Sequence, residues 1–194
     1  LWWHIAVRVV LLWIFGMACQ GNLLSYDPAQ WKFYSNTLQA IAAGYLISAV
    51  LFLYLPLRWQ VASTICLLLA SWATFAWIPA PGGMAGDYSP DGNIAIWIDK
   101  AILGAHQDGT TYAWILASLN CGATTMLGVF AGQFLQKESL SGNRKALYLA
   151  GAGLFSLLTA WEWINCQPLI KHLWTGSFVF VSGGLCLLLL ALFY

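Results

Sequence analysis

The run Ile78-Pro-Ala-Pro-Gly-Gly-Met-Ala-Gly-Asp-Tyr-Ser-Pro-Asp-Gly-Asn93 continues as Ile94-Ala-Ile-Trp-Ile-Asp-Lys-Ala-Ile-Leu-Gly104 and then as a polar stretch to Tyr112. It divides an otherwise apolar chain in two. It holds Asp87, Asp91, Asp99 and Asp108, four of the seven acidic residues. Loops of this length are usually functional or disordered, and this one carries its own helical patch. Ile94, Ile98, Ala101 and Ile102 recur at helical spacing, Asp91 or Asn93 stands where an N-cap belongs, and Gly104 stands where a helix stops. The spacing predicts a short amphipathic helix against the membrane surface, between two halves of a helical bundle.

Outward from that stretch, the composition sets the class. Sixty per cent of the residues are hydrophobic, 8% are charged, and the mean hydropathy is +0.71. These values lie far from those of soluble domains and read as an integral membrane protein. A net charge of +1 gives no electrostatic case for nucleic acid, which calls for a basic patch. Twelve Trp and eight Tyr suit two interfacial aromatic belts. The five cysteines show no Cys-x-x-Cys and no ligand spacing, so no metal is expected, and Cys66 and Cys186 read as small buried hydrophobes.

The apolar runs predict an all-α, polytopic bundle of about six spans. They are residues 1–24, 36–55, 59–78, 114–136, 146–165 and 173–194, each long enough for a ~30 Å hydrocarbon core. The whole chain, 1–194, reads as one transmembrane domain, with 79–113 as its long loop. Leu1 is not an initiator Met, and the expectation is a piece of a longer membrane protein. Arg58, Lys137, Arg144 and Lys145 fall in two short turns on one side. Lys32, Lys100 and Lys171 fall on the other, among most of the acids. The positive-inside rule makes the first side cytoplasmic and the long loop periplasmic or lumenal.

Polar residues on the loop side are the candidate site. Gln39, Asn93, Asp99, Glu162, Lys171 and His172 all map there. If the last span begins at Lys171, then Lys171, Trp174 and Ser177 share one helix face. Ammonium, indole and hydroxyl on one stripe suit a ligand with an anionic group and a flat ring; alternatively Lys171 and Trp174 are membrane-interface anchors. Near the chain's start, Arg8 either snorkels to headgroups or faces the bundle and binds an anion, and His4 reads as interfacial. Gly128-Val-Phe-Ala-Gly132 reads as a helix-packing motif.

Several of these blocks carry a resemblance. Leu38-Gln39-Ala40-Ile41-Ala42 with Tyr45, Pro81-Gly82-Gly83, Asn93-Ile94-Ala95, Ile98-Asp99, Leu103-Gly104 and Pro168-Leu-Ile-Lys-His-Leu-Trp-Thr-Gly-Ser177 together resemble, in order and spacing, the middle of the heparan-alpha-glucosaminide N-acetyltransferase family and its bacterial relatives. The resemblance implies a membrane enzyme of the bacterial inner membrane. It would transfer acetyl from cytosolic acetyl-CoA, as cosubstrate, to an amino sugar across the bilayer. It further implies a pocket walled by Gln39, Asn93, Asp99, Lys171, Trp174 and Ser177, in which Asp99 accepts a sugar hydroxyl or amine and Lys171 pairs with phosphate or a developing oxyanion. The chain departs from the family in two places. Ala40 stands where the family has arginine, leaving Arg8 beside Lys171 as the groups for the anionic part of acetyl-CoA, and Gln107-Asp108-Gly109 replaces Asp-Pro-Glu-Gly. The family's catalytic His and Asp fall upstream of Leu1, so no catalytic residue is assigned. The expected partners are the lipid bilayer, a small amino sugar and a second copy in a homodimer. A transporter of an amino sugar such as N-acetylglucosamine is the competing class, though no internal repeat supports it, and a non-catalytic membrane subunit is the third.

Overall fold

The computed structural model describes residues 1–24 and 26–194. Among the described residues there are seven α-helices, four short 3-10 turns and no strand. The α-helices are α1 (Trp2–Cys19), α2 (Thr37–Tyr54), α3 (Leu57–Trp77), α4 (Ile94–Leu103), α5 (Ala117–Leu135), α6 (Gly142–Trp163) and α7 (Gly176–Phe193). Of these, α1, α2, α3 and α7 are long and apolar enough to cross a membrane. The other two long helices carry more polar sequence: Asn120, Thr124, Thr125 and Gln133 in α5, and Asn143, Arg144 and Lys145 in the first turn of α6.

The six long helices alternate in direction. Trp2 stacks on Tyr54 at 5.8 Å, placing the start of α1 beside the end of α2. Gln133 at the end of α5 donates to Gln60 at the start of α3 (3.0 Å). Lys145 at the start of α6 donates to the Leu135 carbonyl (2.8 Å) and to the Tyr194 hydroxyl (3.4 Å). These contacts define a short-turn end. The opposite, long-loop end carries α4 and the longer connections.

Two pairs of glycines set the helix crossings. A Cβ on Gly44 would lie 2.8 Å from the Cys121 carbonyl oxygen, and one on Gly122 would lie 2.8 Å from Ile47. Here α2 and α5 meet almost backbone to backbone, and the Ser48 hydroxyl donates to the Gly44 and Gly122 carbonyls (2.8 and 3.3 Å). The α6–α7 crossing repeats the device, since a Cβ on Gly153 or Gly184 would meet the other's carbonyl oxygen at 2.9 Å. Small residues at a crossing let helices pack by close contact where lipid offers no hydrophobic drive. The Gly128 and Gly132 pair is not such a crossing, because no atom lies within 4 Å of where their Cβ atoms would be. Cys66 and Cys186 are likewise exposed on the outside of the bundle rather than buried.

The helix α4 shows how the loop end is built. Its N-cap is Asn93, whose Oδ1 accepts from the Ile96 N–H (2.9 Å), and Gly104 ends it at φ +55°, a left-handed conformation that glycine adopts without a Cβ clash. The buried face differs from the expected one. Ile94, Ala95, Ile96 and Asp99 are buried, whereas Ala101 and Ile102 are exposed. The reason is a core at this end in which Phe75, Ala80, Ile94, Ala95, Ile96, Ala113, Leu116 and Leu173 pack together. Burying an isoleucine side chain contributes about 1.5–3 kcal/mol, so Ile94 and Ile96 hold the first turn of α4 in the protein. The outer faces of the bundle are apolar: Leu147, Phe155, Leu158 and Trp161 of α6 are each two-thirds exposed or more.

Candidate functional site

The start of α5 is the hub of the loop end. Asp99 is fully buried, and its two carboxylate oxygens accept from the backbone N–H groups of Trp114 (2.6 Å) and Ile115 (3.0 Å). Burial raises its carboxyl to about 6; these two N–H groups oppose the rise, and the nearby Asp108 charge adds to it. Tyr34 shares its hydroxyl with Ser118 (2.8 Å), and burial pushes that phenol above its ordinary range. The Ala113 N–H donates to the His172 carbonyl (3.0 Å). Segments from α2's entrance, from α4 and from the connection before α7 therefore all dock on residues 113–124.

The polar residues singled out in the sequence divide into frame and surface. Gln39 is buried and forms a capping box with Asn36. Its Oε1 accepts from the Ser35 and Asn36 N–H groups (2.9 and 3.1 Å), and its Nε2 donates to the Phe33 carbonyl (2.7 Å). Asn93 spends its amide on Ile96 N–H and on the Ser89 carbonyl (2.6 Å). Ser177 is buried between the Pro168 carbonyl and the Thr175 hydroxyl, both at 2.9 Å. Each of these groups satisfies backbone at a turn or helix start, as buried polar groups must.

The expected stripe of Lys171, Trp174 and Ser177 does not form. Lys171–Leu173 is a 3-10 turn, Trp174 takes a left-handed conformation at φ +49°, and α7 begins only at Gly176. The break is held from both sides. Gln167 Oε1 accepts the Gly176 N–H (2.8 Å), and the Trp174 carbonyl accepts from Asn120 Nδ2 (2.6 Å). The Trp174 indole N–H donates to Thr124 (3.1 Å), so the ring belongs to the α5–α7 interface. Asn120, also bonded to Ser71 (2.9 Å), keeps its buried Oδ1 without a partner among the described residues.

Lys171 and His172 are exposed. The His172 ring stacks on Tyr112 at 4.2 Å, and its Nδ1 lies 3.2 Å from the Thr111 hydroxyl. Behind it the rings continue as Tyr112–Trp114 (5.4 Å), Trp114–Tyr34 (5.6 Å) and Tyr34–Trp13 (4.9 Å). Asp108 accepts the Trp114 indole N–H (2.9 Å). This five-ring ladder was not read from the sequence, because its members come from four separated segments; the Tyr112-Ala-Trp114 alternation was its one local signal. Glu162 is exposed at the end of α6.

Arg8 is not brought to this cluster. It lies on α1 in the half nearer the short-turn end and donates to the Tyr45 hydroxyl (3.3 Å). Tyr45 borders a cavity of about 330 Å³ between α1, α2 and α5, lined also by Ile5, Ser48, Phe52, Thr125 and Gln133. That volume is at the small end of ligand sites. No family model matches the chain, and no curated protein does.

Proposed function

We propose that this chain is part of a membrane acyltransferase similar to the heparan-alpha-glucosaminide N-acetyltransferases, carrying acetyl from acetyl-CoA on the cytoplasmic side to an amino sugar on the other. In this reading all six long helices cross a bacterial inner membrane, and the long loop faces the periplasm. The exposed apolar face of α6 and the central packing of α5 against α2, α3 and α7 support counting those two helices as spans.

The observation that carries the reading is the placement of three stretches among the blocks that bear the resemblance. The Gln39 helix start, the Asn93–Asp99 turn and the Lys171–Ser177 break are far apart in sequence, and all are built around the first turns of α5. Below them, toward the short-turn end, Tyr45 borders that cavity, and Arg8 bonds to Tyr45 from the adjoining groove lined by Leu11, Leu12, Phe15 and Ile41. The two cationic candidates then serve different substrates. Arg8 meets the anionic part of the donor, and Lys171 with His172 and Tyr112 meets the acceptor, an aromatic face and an ammonium being suited to a sugar bearing polar groups. Gln39, Asn93, Asp99 and Ser177 hold the walls rather than touch substrate.

The test is a thermal-shift titration of the detergent-solubilised protein with coenzyme A and with glucosamine, beside an acetyl-transfer assay. Arg8→Ala and Tyr45→Phe should reduce the response to coenzyme A and leave that to glucosamine. Lys171→Ala should do the reverse. An unchanged coenzyme A response in Arg8→Ala would remove the donor assignment. Uptake of labelled amino sugar into vesicles without acetylation would favour the transporter class.

A further inference from the structure

One large cavity belongs to neither site. It is an open groove of about 780 Å³ between α3, α5, α6 and α7, walled by Phe134, Leu140, Tyr148, Ala152, Phe155 and Thr159 among others. Its lining is almost wholly hydrocarbon, and two of its three hydroxyls are already used: Ser156 donates to the Phe180 carbonyl (2.7 Å) and Thr159 to the Phe155 carbonyl (2.9 Å), while the third is that of Tyr148. A polar ligand would find little beyond the Tyr148 hydroxyl to bond, whereas a hydrocarbon chain suits the rest of the wall. Along α6 the wall runs from Tyr148 to Thr159, about 16 Å at the helical rise. That is roughly one leaflet of a ~30 Å hydrocarbon core.

One end of the groove is charged. The Lys137 ammonium lies 5.9 Å from the centroid of the Phe134 ring, which forms part of the wall. Arg144 stands one helical turn before Tyr148, on the same face of α6. Both cations are exposed, with Glu138 as the acid in the same turn. Lys145 is buried and committed to the Leu135 carbonyl. The basic groups thus sit at the mouth through which a headgroup would enter, on the side where the charge asymmetry places the cytoplasm.

We propose that this groove holds one acyl chain of an anionic phospholipid of the cytoplasmic leaflet, with its phosphate between Lys137 and Arg144. The inference rests on the reading of the long helices as membrane spans. Basic residues at that surface attract anionic lipid, and the groove adds a fixed place for the tail.

The experiment reconstitutes the protein in vesicles containing a phosphatidylglycerol with a photoactivatable acyl chain, then maps the labelled peptides. Label should concentrate on residues 148–159 and 127–134, and unlabelled phosphatidylglycerol should compete while phosphatidylcholine does not. Lys137→Gln and Arg144→Gln should each weaken that competition about five-fold. Ala152→Trp, which fills the groove, should remove the label there while the variant still elutes as a single species with unchanged helical circular dichroism. Equal competition by the two lipids, or label spread evenly over the outer faces of α1 to α3, would overturn the proposal while leaving the membrane reading intact. So would ready disulfide formation between two copies carrying Phe155→Cys, which would make the groove a dimer seam. Failure to enter vesicles at all would instead strike the membrane reading.

Discussion

Asp99 sets two large effects against each other, and replacing it separates them. Its carboxylate receives two charge-assisted hydrogen bonds from the turn that starts α5, each worth about 1.5–3 kcal/mol. Against this stands desolvation, which raises its carboxyl from 3.8 to about 6. A shift of about 2 pH units corresponds to about 3 kcal/mol between the two protonation states. The folded state therefore holds the proton more tightly than the unfolded one. Asp99's contribution is fully present below about pH 4 and falls as pH rises through about 6, then stays level. Asp99→Asn should abolish that dependence. The measurement is unfolding of the detergent-solubilised protein, followed by tryptophan fluorescence, from about pH 4 to about pH 8. The difference between wild type and Asp99→Asn should change by about 3 kcal/mol across that window, wild type losing stability as pH rises. Asp99→Ala at neutral pH should cost about 2 kcal/mol, since two backbone N–H groups lose their partners while the desolvation penalty disappears. Parallel pH curves for wild type and Asp99→Asn would refute the reasoning.

Three further outcomes follow from the packing. Gly122→Leu should destabilise the bundle by about 2 kcal/mol or more, because its side chain has to displace Ile47 of α2, whereas Gly128→Leu should be near neutral in the same unfolding assay. Gln39→Ala should cost about 2–3 kcal/mol through the lost capping box, which leaves the Ser35 and Asn36 N–H groups without their acceptor, read as a lowered melting temperature; an unchanged one would mean that water replaces the amide. Met84→Cys, 79% exposed in the long loop, should react with an impermeant maleimide from the periplasmic side in a cysteine-free background, and reaction only from the opposite side would invert the proposed topology.

The long helices were legible because their signal is local: apolar length bounded by Pro56, by Pro79 and Pro81, and by the charged 137–145 turn. The ends of α4 were legible for the same reason, since a cap and a glycine act on neighbouring backbone. Its buried face was not, because Asp99 is drawn inward by N–H groups fifteen and sixteen residues away. The Lys171–Trp174–Ser177 stripe failed for a related cause. Helical spacing assumes a continuous helix, and the left-handed Trp174 is held by Asn120 and Thr124 of a different helix. The glycine motif misled in the same way. Gly128 and Gly132 have the spacing, but Gly44 and Gly122 have the neighbours. The polarity of the Gln39, Asn93 and Ser177 side chains marked places where the backbone turns inside the protein, which reads in sequence much like a binding wall.

The two glycine crossings differ in how soon they can close during synthesis. Ser156 reaches the Phe180 carbonyl across 24 residues, so α6 and α7 can dock as a hairpin almost as soon as α7 is made. Ser48 reaches the Gly122 carbonyl across 74 residues, with all of α3 and the long loop between them. Helices inserted one by one associate only once their partners are present, and chains emerge from the ribosome at about 5–20 residues per second. In the proposed membrane reading, α2 therefore waits several seconds before the Gly122 carbonyl that Ser48 bonds has been made. That interval, rather than the finished bundle, is when the chain is most open to a chaperone, a protease or a wrong helix.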